Sequence, residues 1–319
     1  MSETAFERSN VQTFERSAVP DLSIIIVNWN TCELLANCLT SIYETIGDLR
    51  CEVFVVDNAS TDGSAAMVRE RYPQVWLIEN AENVGFARAN NQAIAASRGR
   101  YVMLLNPDTK VDVGAPETLV AFMEARPQAG ACGPLLRNAD GSLQPSCHPL
   151  LSPWREFWRL VFLDRLLPRA TYPMARWDRE QPRRVEVIKG ACLLLRREAL
   201  DQVGPLDGRY FMYTEEMDLC HRIAQVGWQL WWVPAAEVIH YGAASTVQAS
   251  EHMYLELYRS KVQFQRKFRG DWGARGFKAL LALAYLPRWL LAGIGRLFSP
   301  ALAARERIYR RLLLHLPRL

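Results

Sequence analysis

None of the seven cysteines, Cys32, Cys38, Cys51, Cys132, Cys147, Cys192 and Cys220, is spaced C-x-x-C from another. An odd count without metal-type spacing argues against a disulfide framework or a zinc knuckle. Several lie in apolar runs, where cysteine acts as a small hydrophobe, and the usage fits a reducing cytosol. Glycine is missing after the first apolar run, where Asn28-Trp-Asn-Thr-Cys-Glu33 stands. A nicotinamide oxidoreductase needs G-x-G-x-x-G in that turn, and a sugar-1-phosphate nucleotidyltransferase needs a glycine-rich phosphate loop there, so both classes fail. Residues 1–20 lack a basic stretch followed by an apolar one and read as a flexible leader without a signal peptide. No uninterrupted apolar run nears the roughly 20 residues of a spanning helix. The longest, Ala279 to Phe298, is broken by Pro287-Arg288 and by Arg296. Repeats and low-complexity tracts are absent too.

What is present is globular: 319 residues, half of them hydrophobic and 23% charged, enough for one large α/β domain or two small ones. The net charge of +4 hides an asymmetry. From Arg259 onward there are 14 Lys/Arg and 2 Asp/Glu, a net of +12, against −8 for residues 1–258. A basic tail on a mildly acidic body points to an anionic partner, nucleic acid or phospholipid headgroups.

Leu22–Val27, Val53–Val56, Val75–Ile78 and Tyr101–Leu105 are short apolar runs without alternation. Helical patterns separate them: one starting near Thr31, then Ala65–Tyr72 and Phe86–Ser97. That arrangement predicts a parallel sheet covered on both faces, which binds ligands beyond the carboxyl ends of its strands. Three strand ends carry polar clusters: Asn28-Trp-Asn30, Asp57–Ser64 and Asn106-Pro-Asp108. Further on, Asn138–Gly141 reads as a hairpin turn. Val185–Leu195 reads as a strand interrupted at Lys189-Gly190, and Trp228–Val233 as another. Glu215–Val226 reads as a helix burying Leu219, Ile223 and Val226, with an Asp218/Arg222 pair four residues apart. Residues 148–184, rich in Trp, Arg and Pro, show little periodicity.

Each cluster has a chemical reading and a bland one. Asp57 could accept from the ring N–H of a base, or the 57–64 stretch could be only a cap and Asx-turn. Asp108 suits Mg²⁺ or Mn²⁺ as a hard-oxygen ligand, or closes a turn around Pro107. Glu215, Glu216 and Asp218 crowd one helical turn. The helix dipole favours them there, and a carboxylate in a partly apolar cleft can be a general base. His240, after a strand, could ligate a metal or be structural.

The order of these motifs resembles the family 2 glycosyltransferases of GT-A fold. It comprises Val27-Asn-Trp-Asn30, Val55–Ser64, Asn83-Val-Gly-Phe-Ala-Arg-Ala-Asn-Asn91, Leu104-Leu-Asn-Pro-Asp108, Phe211-Met-Tyr-Thr-Glu-Glu-Met-Asp-Leu219 and Val238-Ile-His240. The pattern is most similar to bacterial rhamnosyltransferases of polysaccharide assembly. The resemblance implies an inverting, metal-dependent transfer from a dTDP- or UDP-sugar to a glycan or lipid-linked acceptor. Asn28, Asn30, Asp57, Asn58, Asn83, Gly85, Arg88, Asn91, Asn106 and Gly190 would form the donor pocket, with Asp57 on the base. Asp108 and His240 would hold Mg²⁺ or Mn²⁺. Glu216 would be the base, with Glu215 its rival and Asp218 beside them.

The expected layout is a leader (1–20), a catalytic domain (21–268) and a basic amphipathic tail (269–319). Within Arg275–Phe298 the four cations Arg275, Lys278, Arg288 and Arg296 fall in one arc of about 140° at 100° per residue, and apolar residues fill the rest. That is the pattern of a helix lying in a membrane interface, and Pro287 should kink or divide it. Trp154–Leu167 offers a second contact. The tail lacks a nucleic-acid motif and its apolar content favours lipid. The chain is therefore expected on the inner face of the cytoplasmic membrane. A cut near Arg269 is expected to spare donor binding.

Overall fold

Leu22–Asn28 is buried at every position, so the strand it forms, β1, has to be covered on both faces. The computed structural model describes residues 19–167, 169–242, 250–296 and 299–319. The expected leader, except Val19 and Pro20, lies outside the described residues, as does Phe298 of the tail.

After β1 the chain runs through α1 (Cys32–Thr45), β2 (Cys51–Asp57), α2 (Ser64–Arg71), β3 (Trp76–Glu79), α3 (Phe86–Ala96), β4 (Tyr101–Leu105) and β5 (Thr109–Val111). Next are α4 (Ala115–Glu124), β6 (Ala129–Arg137), β7 (Leu143–Gln144), β8 (Cys147–His148) and α5 (Pro153–Leu160). Then follow β9 (Arg183–Arg184), β10 (Val187–Ile188), β11 (Cys192–Arg196), α6 (Arg197–Val203), α7 (Glu215–Gln225) and β12 (Gln229–His240). Two helices close the chain, α8 (Ser250–Gly295) and α9 (Pro300–His315).

The main sheet has the order β3-β2-β1-β4-β11-β6-β12-β5. Its first four strands are parallel. Beyond β4 it is mixed: β11 is antiparallel to β4 and β6, β12 is parallel to β6, and β5 is antiparallel to β12. Ile25 and Val27 face one apolar core with α3, α6, α7 and the tail, while Leu22, Ile24 and Ile26 face a second with α1, α2 and α4. Period-two geometry thus divides one apolar run between two cores.

Several expectations need correcting. Val185–Leu195 is not one interrupted strand: β10 pairs with β8 in a separate ribbon, and β11 joins the main sheet. Val226 is exposed, because α7 ends at Gln225 and the chain turns away at Gly227 (φ 95). The strand expected at Trp228–Val233 runs on to His240 past a bulge between Val233 and Glu237. In the tail, Pro287 lies within the helix and does not divide it. The break is at Gly270, whose φ of 68° and ψ of −174° leave the helical region. One stretch within α8, His252–Gly295, is also long and apolar enough to cross a membrane by length and composition, because isolated cations do not lower its mean hydropathy enough.

The tail is not a loose appendage. Phe277, Leu281, Tyr285 and Leu312 belong to the same core as Ile25 and Leu104. The Tyr285 hydroxyl bonds those of Tyr254 and Tyr258, and Trp289 Nε1 donates to Glu306 at 2.9 Å. Each large buried side chain is worth about 1.5–3 kcal/mol, and a whole domain has only about 5–15 kcal/mol. Cutting the chain at Arg269 should therefore give a protein that aggregates or melts far below the full chain. A thermal melt of both proteins checks this, and equal midpoints would refute it.

Candidate active site

The carboxyl ends of β1 and β2 are joined by side chains that the polar clusters supply. Asn28, buried, donates from Nδ2 to Asp57 Oδ1 (3.0 Å) and Ser60 Oγ (3.1 Å), and its Oδ1 accepts from Thr31 (2.6 Å). Asp57 Oδ2 accepts the Ser60 N–H at 2.9 Å. Asn30, at φ 52°, accepts the Thr61 N–H at 2.8 Å. Asn58 takes a bond from Asn80 (2.9 Å) and reaches the Gly85 carbonyl at 3.5 Å. Asp57 is thus tied into the loop, and the second lone pair of each oxygen is what remains for a base.

Gly85 makes the next join. Asn83 Oδ1 accepts the Gly85 N–H at 3.0 Å. Gly85 adopts φ 87°, and a Cβ there would stand 2.6 Å from the Phe211 carbonyl oxygen. The adjacent Phe86 N–H donates to that same oxygen at 2.7 Å. Arg88 and Asn91 extend the seam: Arg88 Nε donates to Gly208 O (2.9 Å), and Asn91 exchanges bonds of 2.7 and 3.0 Å with Leu206. These two residues, expected in the donor pocket, hold the loop before α7 by its backbone.

Asp108 and His240 meet at the ends of β4 and β12. His240 Nε2 lies 3.3 Å from Asp108 Oδ1 and 3.3 Å from Asn106 Nδ2. On its other side Nδ1 is 2.6 Å from Gln144 Oε1, whose amide Nε2 donates to Asn138 Oδ1 and to the His240 carbonyl. Those two bonds orient the amide so that Oε1 accepts, which places the imidazole proton on Nδ1. The Nε2 lone pair then faces the Asn106 amide, which can donate to it, and the Asp108 carboxylate, so an imidazole nitrogen and a carboxylate oxygen stand close enough to share a cation. Two cis ligands of a six-coordinate Mg²⁺ or Mn²⁺ stand about 3 Å apart, so carboxylate plus imidazole fits such an ion and leaves room for diphosphate oxygens. Among the described residues no cluster of three His, Cys, Asp or Glu surrounds this point.

The third part is the start of α7. Tyr213 and Thr214 lie at φ 68° and 73°, strain that non-glycine residues rarely carry. They aim the first turn. Glu215 is buried and Glu216 partly so, and an Oε2 atom of each has no partner. Burial, then the neighbouring Glu216, push the Glu215 carboxyl well above the usual range. Burial raises Glu216 as well, against backbone N–H groups and Lys189 that pull it down. Gly190 packs alongside: a Cβ there would be 3.7 Å from Glu216 Cβ. Asp218 faces elsewhere. It is fully buried, ion-paired to Arg222 (2.6 Å) and Lys267 (2.6 Å), and bonded by Tyr210. That network occupies it in holding α7 in place.

Gln144 and the Phe211 carbonyl were missed as site components by sequence reasoning, which placed pocket specificity around Lys189-Gly190 without giving Lys189 a role. Only the alternation of Leu143-Gln144 beside the Asn138–Gly141 turn hinted at the first. Gly85→Ala should force Phe211 away and shift the first turn of α7. Displacements near 1 Å cost about 10²-fold in rate, so turnover should fall steeply while the fold stays cooperative. Wild-type kcat in this variant would overturn the reading of the seam.

A family model, glycosyl transferase family 2, matches residues 23–204. The chain is 39% identical over 208 residues to the N-acetylglucosaminyl-diphospho-decaprenol L-rhamnosyltransferase of Mycobacterium tuberculosis, covering 61% of this chain and 67% of that protein. A rhamnosyltransferase of Escherichia coli is 28% identical over 167 residues, 49% of this chain and 61% of its own. Among solved structures, a mannosyltransferase of Pyrobaculum calidifontis in complex with GDP-Man and Mn²⁺ superposes with a TM-score of 0.54 at 19% identity. That superposition covers 93% of this chain and 86% of the other. The fold is of the GT-A type, and the chain belongs to glycosyl transferase family 2 as a glycosyltransferase.

Proposed function

We propose that this glycosyltransferase moves rhamnose or another hexose, with inversion, from a dTDP- or UDP-linked donor to a hydroxyl of a lipid-linked glycan. We place the reaction in cell-surface polysaccharide assembly, at the inner face of the cytoplasmic membrane. The observation that carries the proposal is the approach of His240 Nε2 to Asp108 at 3.3 Å together with the Glu216 carboxylate, which has an unpartnered Oε2 and packs against Gly190 next to Ala191, whose carbonyl accepts the Asn106 N–H. The first suits a cation that binds a sugar diphosphate, and the second suits a base for an incoming hydroxyl. The relatives act as rhamnosyltransferases, one on a diphospho-decaprenol substrate, which supports the choice of sugar and acceptor.

In this reading Asp57, with Asn28, Asn30 and Asn58, borders the base. Asn83 and Gly85 shape the diphosphate side, which Arg88 and Asn91 support from behind. Asp108 and His240 would hold Mg²⁺ or Mn²⁺, with Asn106 beside them. When bound, the ion neutralises charge growing on the departing diphosphate. Glu216 accepts the proton of the acceptor hydroxyl as its oxygen attacks the anomeric carbon. The nucleoside diphosphate leaves from the opposite face, so one displacement inverts the centre. Glu215, the more buried, is the rival base.

Glu216→Gln should lower kcat by about 10²–10⁴-fold with donor binding intact. Activity in that variant together with a dead Glu215→Gln would move the role by one residue. The base must be ionised and its pKa is raised, so kcat/KM should decline as pH falls, with an acid limb above the ordinary glutamate range. Lys189→Met removes a cation that favours the ionised form and should push that limb higher still. A limb that stays put would refute the link.

Chelation should abolish transfer, and Asp108→Ala should cost on the order of 10³-fold. Diphosphate release from a panel of nucleotide-sugars, with and without membrane extract, checks both donor and acceptor. Full activity in excess chelator would exclude the metal.

A further inference from the structure

We propose that the outer face of α8 beyond Gly270, together with the end of α5 and the turn after it, forms a two-part docking surface for an anionic lipid bilayer. The proposal deepens the functional reading above and rests on it only for the reason such a surface exists.

This half of α8 has two apolar faces rather than one. Phe277, Leu281, Tyr285 and Ala292 are buried against the rest of the chain. Trp272, Leu283, Leu286, Leu290, Leu291 and Ile294 are 49–80% exposed. At 100° per residue these six span an arc of about 140°, as wide as the stripe a soluble helix normally buries. The second part is α5 and its turn, where Trp154 (56%), Phe162 (55%) and Leu166 (79%) are exposed. Phe162 is held at φ 61°, a left-handed conformation that is costly for an aromatic residue. The Arg288 guanidinium stacks over the Phe162 ring at 4.9 Å and over Tyr285 at 5.2 Å, which ties the two parts together. Beneath them Lys261 of α8 pairs with the buried Glu156 of α5 at 2.8 Å. The surface is preformed.

Charge decides the occupant. The segment from Arg259 onward carries a net of +12, of which Arg259, Lys261 and Lys267 are paired with Glu256, Glu156 and Asp218 outside it, leaving the excess on the part beyond Gly270 and on α9. Arg275, stacked on Trp272 at 5.1 Å, borders the stripe, and Arg305 and Arg307 of α9 are exposed. A second copy of this chain would bring like charge against like. Anionic headgroups over an acyl layer match both the rim and the stripe. The face that α8 turns inward argues against spanning. Insertion would strip Tyr285 from Tyr254 and Tyr258, and Trp289 from Glu306.

The test is co-sedimentation of the full chain with vesicles of phosphatidylcholine alone or with phosphatidylglycerol added, across a salt series. Binding should require the anionic lipid, weaken with salt and leave a salt-resistant remainder. The triple variant Leu286→Glu/Leu290→Glu/Ile294→Glu should lose that remainder and bind at least about tenfold less. Its melting temperature should hold, since these side chains are exposed. Phe162→Ser/Leu166→Glu should weaken binding separately. Vesicle binding unchanged in both variants overturns the proposal. So does a wild-type dimer that the triple variant dissolves without any vesicle binding, and so does protein that alkaline carbonate cannot extract. Diphosphate release from donor is followed in the same samples. Unchanged release with lost vesicle binding supports the surface. Vesicle binding by a wild type that releases diphosphate from no donor leaves the surface standing and removes the transferase reading.

Discussion

The site depends on one close approach, the Phe211 carbonyl against Gly85. A single oxygen accepts the Phe86 N–H at 2.7 Å in space that any side chain at 85 would fill. On one side lie the ends of β1 and β2 and the start of α3, and on the other the strained Tyr213-Thr214 step into α7. Hydrogen bonds from Arg88 and Asn91 continue the seam to residues 206–208. The loop's placement is therefore set from the side of β1, β2 and α3, and Glu215 and Glu216 follow from it.

Electrostatics completes what that contact begins. At the head of α7 burial favours the neutral form of two adjacent carboxyls, while Lys189 draws Glu216 back toward ionisation. One turn on, the cations Arg222 and Lys267 surround Asp218 and fix the helix. Acidic residues close in sequence thus differ in their partners: cations hold Asp218, while an Oε2 atom of Glu215 and of Glu216 has none. At β12 the same separation occurs within one imidazole: Nδ1 is committed to Gln144, and Nε2 faces Asn106 and Asp108.

Much of this was legible in the sequence, for identifiable reasons. Unalternating runs such as Leu22–Val27 can exist only between two covered faces, so the parallel half of the sheet and its polar strand ends followed directly. The grouping of Asp218 with Glu216 went too far, since two residues of helix turn a side chain by roughly 200°; Glu215, three residues from Asp218, differs from it by partners, since Arg222 and Lys267 hold Asp218 and no group bonds Glu215 Oε2. Gln144 was out of reach because it touches His240 across 96 positions, through a pairing of β7 with β6 that local pattern does not encode. The tail's cations were read correctly as one-sided. The apolar remainder proved to be two faces, one buried and one open, and periodicity alone cannot tell a face that meets protein from one that does not.

Lys267 stands three residues before the turn at Gly270 and grips Asp218 on α7. An unbroken rod would act as a lever, passing every tilt of its outer half to that grip and on to Glu216. The left-handed step at Gly270 (φ 68°) interrupts the lever arm. The outer half folds back instead, so that Tyr285 bonds Tyr254 and Tyr258 of the inner half and Phe277 and Leu281 join the common core, and the two halves brace each other across the turn.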